Sequence, residues 1–255
     1  MLEQKPHMFD FTLSKAMTHL QARLAANPDA SLLATWEAVV TAMQVSSAMF
    51  AASSRTEGVV ECRIADEMRI IPSTGRQPYI KPGNWLTAFW LSVVCREQDR
   101  MSQLCEISLD TLRTSGTDYD EYVYHWIDSL QTYWLERPGL GDKLVTTIQT
   151  SSPDVALIAD REVLDKILYQ PINLFQYFLR KDHEGFNQAL VEALELHKSF
   201  WTASEEREKT VEGYLALGPL AIACLAHDAG FPIDVESDYV PSQLLNRAWL
   251  GEFPT

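Results

Sequence analysis

The chain has 255 residues, 46% of them apolar, and its 21 basic and 35 acidic side chains give a net charge of −14. That composition predicts a folded chain with a sizeable core and argues against a disordered one. The charge argues against nucleic-acid binding through a phosphate-neutralising patch, and it is unevenly placed: residues 1–100 hold 10 basic and 10 acidic side chains, residues 101–255 hold 11 and 25.

The first residues, MLEQKPHMFDF, show no basic-then-apolar leader, and no apolar run reaches membrane-spanning length. Cys62, Cys95, Cys105 and Cys224 are scattered, with no Cys-x-x-Cys pair. Together these features predict a cytoplasmic protein with reduced thiols and no membrane contact.

In chain order, Phe11, Leu13, Met17, Leu20 and Leu24 predict a first helix that stops at Asn27-Pro28-Asp29. Ser31 is the expected cap of a second helix carrying Trp36, Val39, Val40 and Met43. The β-branched stretch GVVECRIADEMRII predicts a β-hairpin turning at Ala65-Asp66-Glu67. A Pro- and Gly-rich loop follows. Asn84 is then the expected cap of a helix with Trp85, Leu86, Phe89, Trp90, Val93 and Val94 on a broad apolar stripe.

Met101 to Leu112 reads as one further helix ended by Gly116, and Asp118 to Glu121 as an acidic helix start that suits the helix dipole. Residues 141–150 form another short helix, and Ser152-Pro153-Asp154 opens a new piece. Arg161 to Leu179 continues as helix with an interruption at Gln170-Pro171, and Phe186 to Trp201 is strongly amphipathic. From Tyr214 to Ala226 there is no charge. Gly218-Pro219 interrupts that run, and Gly230 with Pro232 closes it, so a helix buried all round is expected there.

The fold expected is mainly α: an irregular bundle of stacked helical hairpins with one small β-hairpin near residues 59–71. It is one domain over residues 1–255, with N-terminal helices and the hairpin in 1–80 and a helical body in 84–255.

Catalytic signatures are scarce. No GxSxG, P-loop or GxGxxG sequence occurs. His227-Asp228 is an HD dipeptide, and a metal-dependent hydrolase would need a further His (His183 or His197) and an Asp such as Asp234 around the same ion. Nothing in the spacing selects them, so the expectation is no enzyme, no metal and no cofactor. A hydrolase using His227 and Asp228, or a helical scaffold for another protein, stands as the alternative.

Two acidic clusters remain, Glu205-Glu206-Glu208 and Asp234-Glu236-Asp238, the second leading into Tyr239. Carboxylates beside an exposed aromatic suit a lysine- or arginine-rich partner. Of seven tryptophans, Trp201 and Trp249 sit at segment ends, where interface anchors are found. The partner-binding residues expected are Glu205, Glu206, Asp234, Glu236, Asp238, Tyr239 and Trp249.

The stretches QALVEALELHKSFWTASEERE and GYLALGPLAIACLAHDAGFPIDVESDYVPSQLLNRAWLGEF resemble the C-terminal part of the immunity protein 49 family, and KPGNWLTAFWLSVVCRE is similar to the same family. The likeness covers the last two-thirds of the chain, and the N-terminal helices are less distinctive. It implies a mainly helical, cytoplasmic, non-enzymatic protein encoded beside a toxin of a bacterial polymorphic toxin system. The acidic half then suits a basic, nuclease-type toxin, because an enzyme that attacks nucleic acid carries positive charge for its substrate.

Overall fold

A computed structural model describes residues 2–255, and it is mainly helical with one two-stranded sheet. Helix α1 (Phe9–Ala26) folds back on α2 (Leu33–Ser53). Strands β1 (Val59–Ile64) and β2 (Glu67–Pro72) pair antiparallel around a two-residue turn, Ile64 opposite Glu67, with Ala65 in the left-handed region at φ +57°. Buried Gln44 of α2 ties three parts together: its Oε1 accepts from the Ala65 amide at 2.8 Å, and its Nε2 donates to the Pro254 carbonyl at 2.9 Å.

Helices α3 (Pro82–Val94), α4 (Gln98–Cys105) and α5 (Leu109–Arg113) lead to a hairpin of α6 (Glu121–Trp134) and α7 (Leu140–Thr150). A short α8 (Arg161–Val163) passes through a π-turn (Leu164–Leu168) into α9 (Gln170–Arg180), which pairs with α10 (His183–Trp201). After α11 (Glu205–Glu208) and a 3-10 turn (Val211–Tyr214) come α12 (Leu217–Asp228) and α13 (Ser242–Leu245).

Helix α12 joins the two halves. It packs on α3 from the first half and on α9 and α10 from the second, which is why it has no polar face: Leu220 to Cys224 are all buried. Gly218 sets how closely it sits on α9, because a Cβ there would lie 2.6 Å from Pro171 Cγ. A run of ring contacts crosses the same core from Trp85 and Phe89 through Trp90, Trp126, Phe175 and Phe178 to Phe231. Burial raises the thiols of Cys95, Cys105 and Cys224, the last two to about 12, so these cysteines behave as small apolar side chains.

Several local expectations are corrected. Ser31 does not cap α2; the N-cap position is Leu32, and Asn27 Oδ1 accepts from the Leu32 amide and the Thr35 hydroxyl instead. Asn84 lies inside α3, which begins at Pro82, where a missing N–H costs nothing. Its side chain donates to the Tyr79 carbonyl and to Asp10. Met101 to Leu112 is two helices, the second capped by Ser108 Oγ. The break after Arg161 is the π-turn at Leu164–Leu168, so Pro171 falls in the first turn of α9. Gly218-Pro219 likewise forms the first turn of α12 and does not interrupt it.

Candidate partner-binding surface

Asp228, half of the HD dipeptide, is an electrostatic staple. Arg96 Nε donates to its Oδ2 at 3.1 Å, while the rest of the guanidinium donates to the carbonyls of Val94, Leu244 and Leu245, each at 2.8 Å. Partial burial pushes the Asp228 carboxyl up, but the Arg96 hydrogen bonds and charge outweigh it and hold it below the usual carboxylate range. The other nominated ligands are engaged elsewhere. His197 Nε2 meets the Gly213 carbonyl at 2.8 Å, and the His183 ring lies 4.1 Å from that of Phe231. Among the described residues no three His, Cys, Asp or Glu side chains are grouped as a metal ion requires.

The acidic segment after α12 is an extended strap. Buried Phe231 pins its start against Phe178, Phe186 and His183. Asn187 of α10 then holds it as a neighbouring strand would: Nδ2 donates to the Pro232 carbonyl at 2.7 Å, and Oδ1 accepts from the Asp234 amide at 3.0 Å. Its far end is fixed by the Ala216 amide donating to the Tyr239 carbonyl at 3.1 Å, with the Tyr239 ring 5.0 Å from that of His197. Side chains alternate along it. Ile233, Val235 and Tyr239 turn toward the core, and Asp234, Glu236 and Asp238 are exposed. None of the three carboxylates has an ion-pair partner among the described residues.

The other expected contact residues are held in different ways. Glu205 and Glu206 are exposed on α11, and Glu205 is paired with Lys209 at 3.0 Å. The indole N–H of Trp249 donates to the Ala30 carbonyl at 2.7 Å, clamping the C-terminal turns to the α1–α2 connection. Tyr239 is half-buried, and burial followed by the Asp238 charge raises its hydroxyl.

Two features were not anticipated from the sequence. The first is the loop after α7. Asp120, 8% exposed, accepts the amides of Leu157 and Ile158 on Oδ1 at 2.7 and 2.9 Å, and that of Ala159 on Oδ2 at 2.8 Å. One carboxylate thus holds three consecutive amides, and the loop presents Val155, Leu157 and Ile158 outward, Leu157 79% exposed. The apolar run from Val155 to Ala159 matches no helical or strand period, which was the only signal available.

The second is a cleft of about 710 Å³ beside that loop, walled by α1, α3, α6, the π-turn, the end of α10 and the start of α12. Trp90, Trp126 and Trp201 line it, with Ile158 and Leu168 at its mouth. His197 and Ala216, which hold Tyr239, line it as well.

No helix among the described residues is long and apolar enough to cross a membrane. Comparison with curated proteins and with solved structures gives no match. The family model described as Immunity protein 49 matches residues 27–244, reaching further toward the N-terminus than the likeness of the quoted stretches and taking in α2, both strands and everything to α13. The chain belongs to the immunity protein 49 family.

Proposed function

We propose that this chain binds one cognate toxin in the cytoplasm and neutralises it by occlusion, without catalysis of its own. The observation that carries the reading is the outward row Asp234, Glu236 and Asp238 on a strap fixed at both ends. Unpaired carboxylates held in place are a ready complement for a basic surface, and the segment needs little ordering on binding. Glu205 and Glu206 add negative field, and Tyr239 and Trp249 supply ring edges for contact. A nuclease-type toxin fits this surface, since a basic groove built for polyanionic substrate meets an acidic inhibitor on the same terms.

The test is the association rate of the protein with the toxin domain encoded beside it, measured against ionic strength. Steered association falls by roughly tenfold or more between low and physiological salt. A rate indifferent to salt refutes the charge-steered mode.

A further inference from the structure

The cleft and the loop beside it carry a second contact, different in chemistry from the acidic strap. Trp90 and Trp126 are 6% and 2% exposed and line the cleft. The indole N–H of Trp201, on the same wall, is buried and finds no acceptor among the described residues. The indoles of Trp85, Trp134 and Trp249, by contrast, donate to Leu104, Ser102 and Ala30. A buried donor without an acceptor is costly, so the Trp201 indole at this cleft points to a guest that carries a carbonyl or hydroxyl oxygen.

The rim adds charge to this. Asp118 and Glu212 line the cleft, and neither has an ion-pair partner among the described residues. The one lining cation, Lys166, is held by Glu162 at 2.9 Å. A guest entering here meets apolar walls, the Trp201 indole donor and unneutralised carboxylates.

The loop supplies the rest. Exposed leucine and isoleucine at a loop tip normally cost ordering entropy when a partner covers them. Here Asp120 has already fixed their backbone, and Ala156, buried between them and Val155, pins the loop from below.

We propose that the cleft, with Leu157 and Ile158 at its edge, receives an apolar segment of the toxin flanked by lysine or arginine, one of whose backbone carbonyls accepts from the Trp201 indole N–H. The inference rests on the immunity reading and adds an anchoring site to it: the strap steers, and the cleft holds. Charge complementarity at Asp118 and Glu212 selects a basic segment over a neutral one.

The test uses the full chain and the inactivated toxin domain encoded beside it, with affinity measured by calorimetry. Two variants keep the fold: Leu157→Asp with Ile158→Asp at the exposed tip, and Thr18→Trp on the exposed side of α1, which obstructs the mouth. Both are expected to melt like wild type and to weaken binding roughly thirtyfold or more, as loss of an interface anchor does. Wild-type affinity in both variants overturns the cleft proposal and leaves the immunity reading standing. Absence of binding by wild type itself overturns both. Sedimentation that shows a wild-type dimer dissociated by the tip variant, with toxin affinity unchanged, assigns the site to a second copy of this chain and overturns the proposal.

Discussion

The side-chain amide of Asn187 pairs with the strap on either side of Ile233, accepting from the Asp234 amide at 3.0 Å and donating to the Pro232 carbonyl at 2.7 Å. One residue of α10 thereby does the work of a neighbouring strand and keeps the following carboxylates facing outward. Asn187→Ala removes both bonds. The expected cost is about 1–2 kcal/mol, felt locally, because water can reach the freed groups. Amide exchange at Asp234 should speed up while exchange in α12 does not. Unchanged protection at Asp234 would mean that Phe231 and Tyr239 alone hold the strap.

Arg96 closes the ends of three elements at once, through Asp228 of α12, the Val94 carbonyl of α3 and the carbonyls of Leu244 and Leu245. Arg96→Met keeps the stem and deletes the donors. It should lower stability by roughly 2–4 kcal/mol, since it removes the main partner of the Asp228 carboxylate and the donor to three carbonyls. Among the described residues, that leaves the carboxylate only His227 at 3.3 Å and Arg247 at 3.8 Å. The pH dependence follows from the depressed Asp228 carboxyl. Its contribution is fully present above the ordinary aspartate pKa of about 3.9 and is lost as the pH falls through the lower folded value. Denaturant titrations in that acid range should show the loss in wild type and a flatter profile in Arg96→Met.

His197 titrates in a different window. Burial lowers its pKa, and the Gly213 carbonyl offsets only part of that. The unfolded chain therefore binds a proton more readily, and stability falls as the pH drops below about 6.5 toward the folded value. His197→Gln keeps a donor toward Gly213 and should flatten the profile between neutrality and the acid range where carboxylates take over. A profile identical to wild type would assign the slope to other groups.

Gly218 tests the seam between the halves. A Cβ would stand 2.6 Å from Pro171 Cγ, so Gly218→Ala must push α12 away from α9. The expected penalty is about 1–3 kcal/mol, despite alanine's better helix propensity. A stabilised variant would show that α9 gives way there.

The sequence was most legible where one residue's neighbours decide its fate. The uncharged run from Tyr214 to Ala226 announced a helix buried all round, and α12 is one because α3, α9 and α10 enclose it. The β-branched residues from Val59 to Ile71 announced the hairpin. Helix ends were less legible, because the groups that satisfy them come from elsewhere: Asn27 serves the start of α2, and Arg96 reaches α13 across 148 residues of sequence. The candidate sites divide the same way. Alternation of Asp234, Glu236 and Asp238 with Ile233 and Val235 is visible in the chain. The Asp120 anchor lies 37 residues from Leu157, and no local pattern links them.

The most direct measurement is growth of cells that express the proposed cognate toxin domain together with either wild type or the Glu236→Lys, Asp238→Lys double variant. Both substitutions lie on the exposed side of the strap, so the variant should fold and melt as wild type does. The account predicts that wild type restores growth and that the variant protects poorly, with association slowed on the order of tenfold or more by reversed steering. Cells that die with wild type present contradict the immunity reading, and full protection by the double variant contradicts the assignment of the strap as the face that meets the toxin.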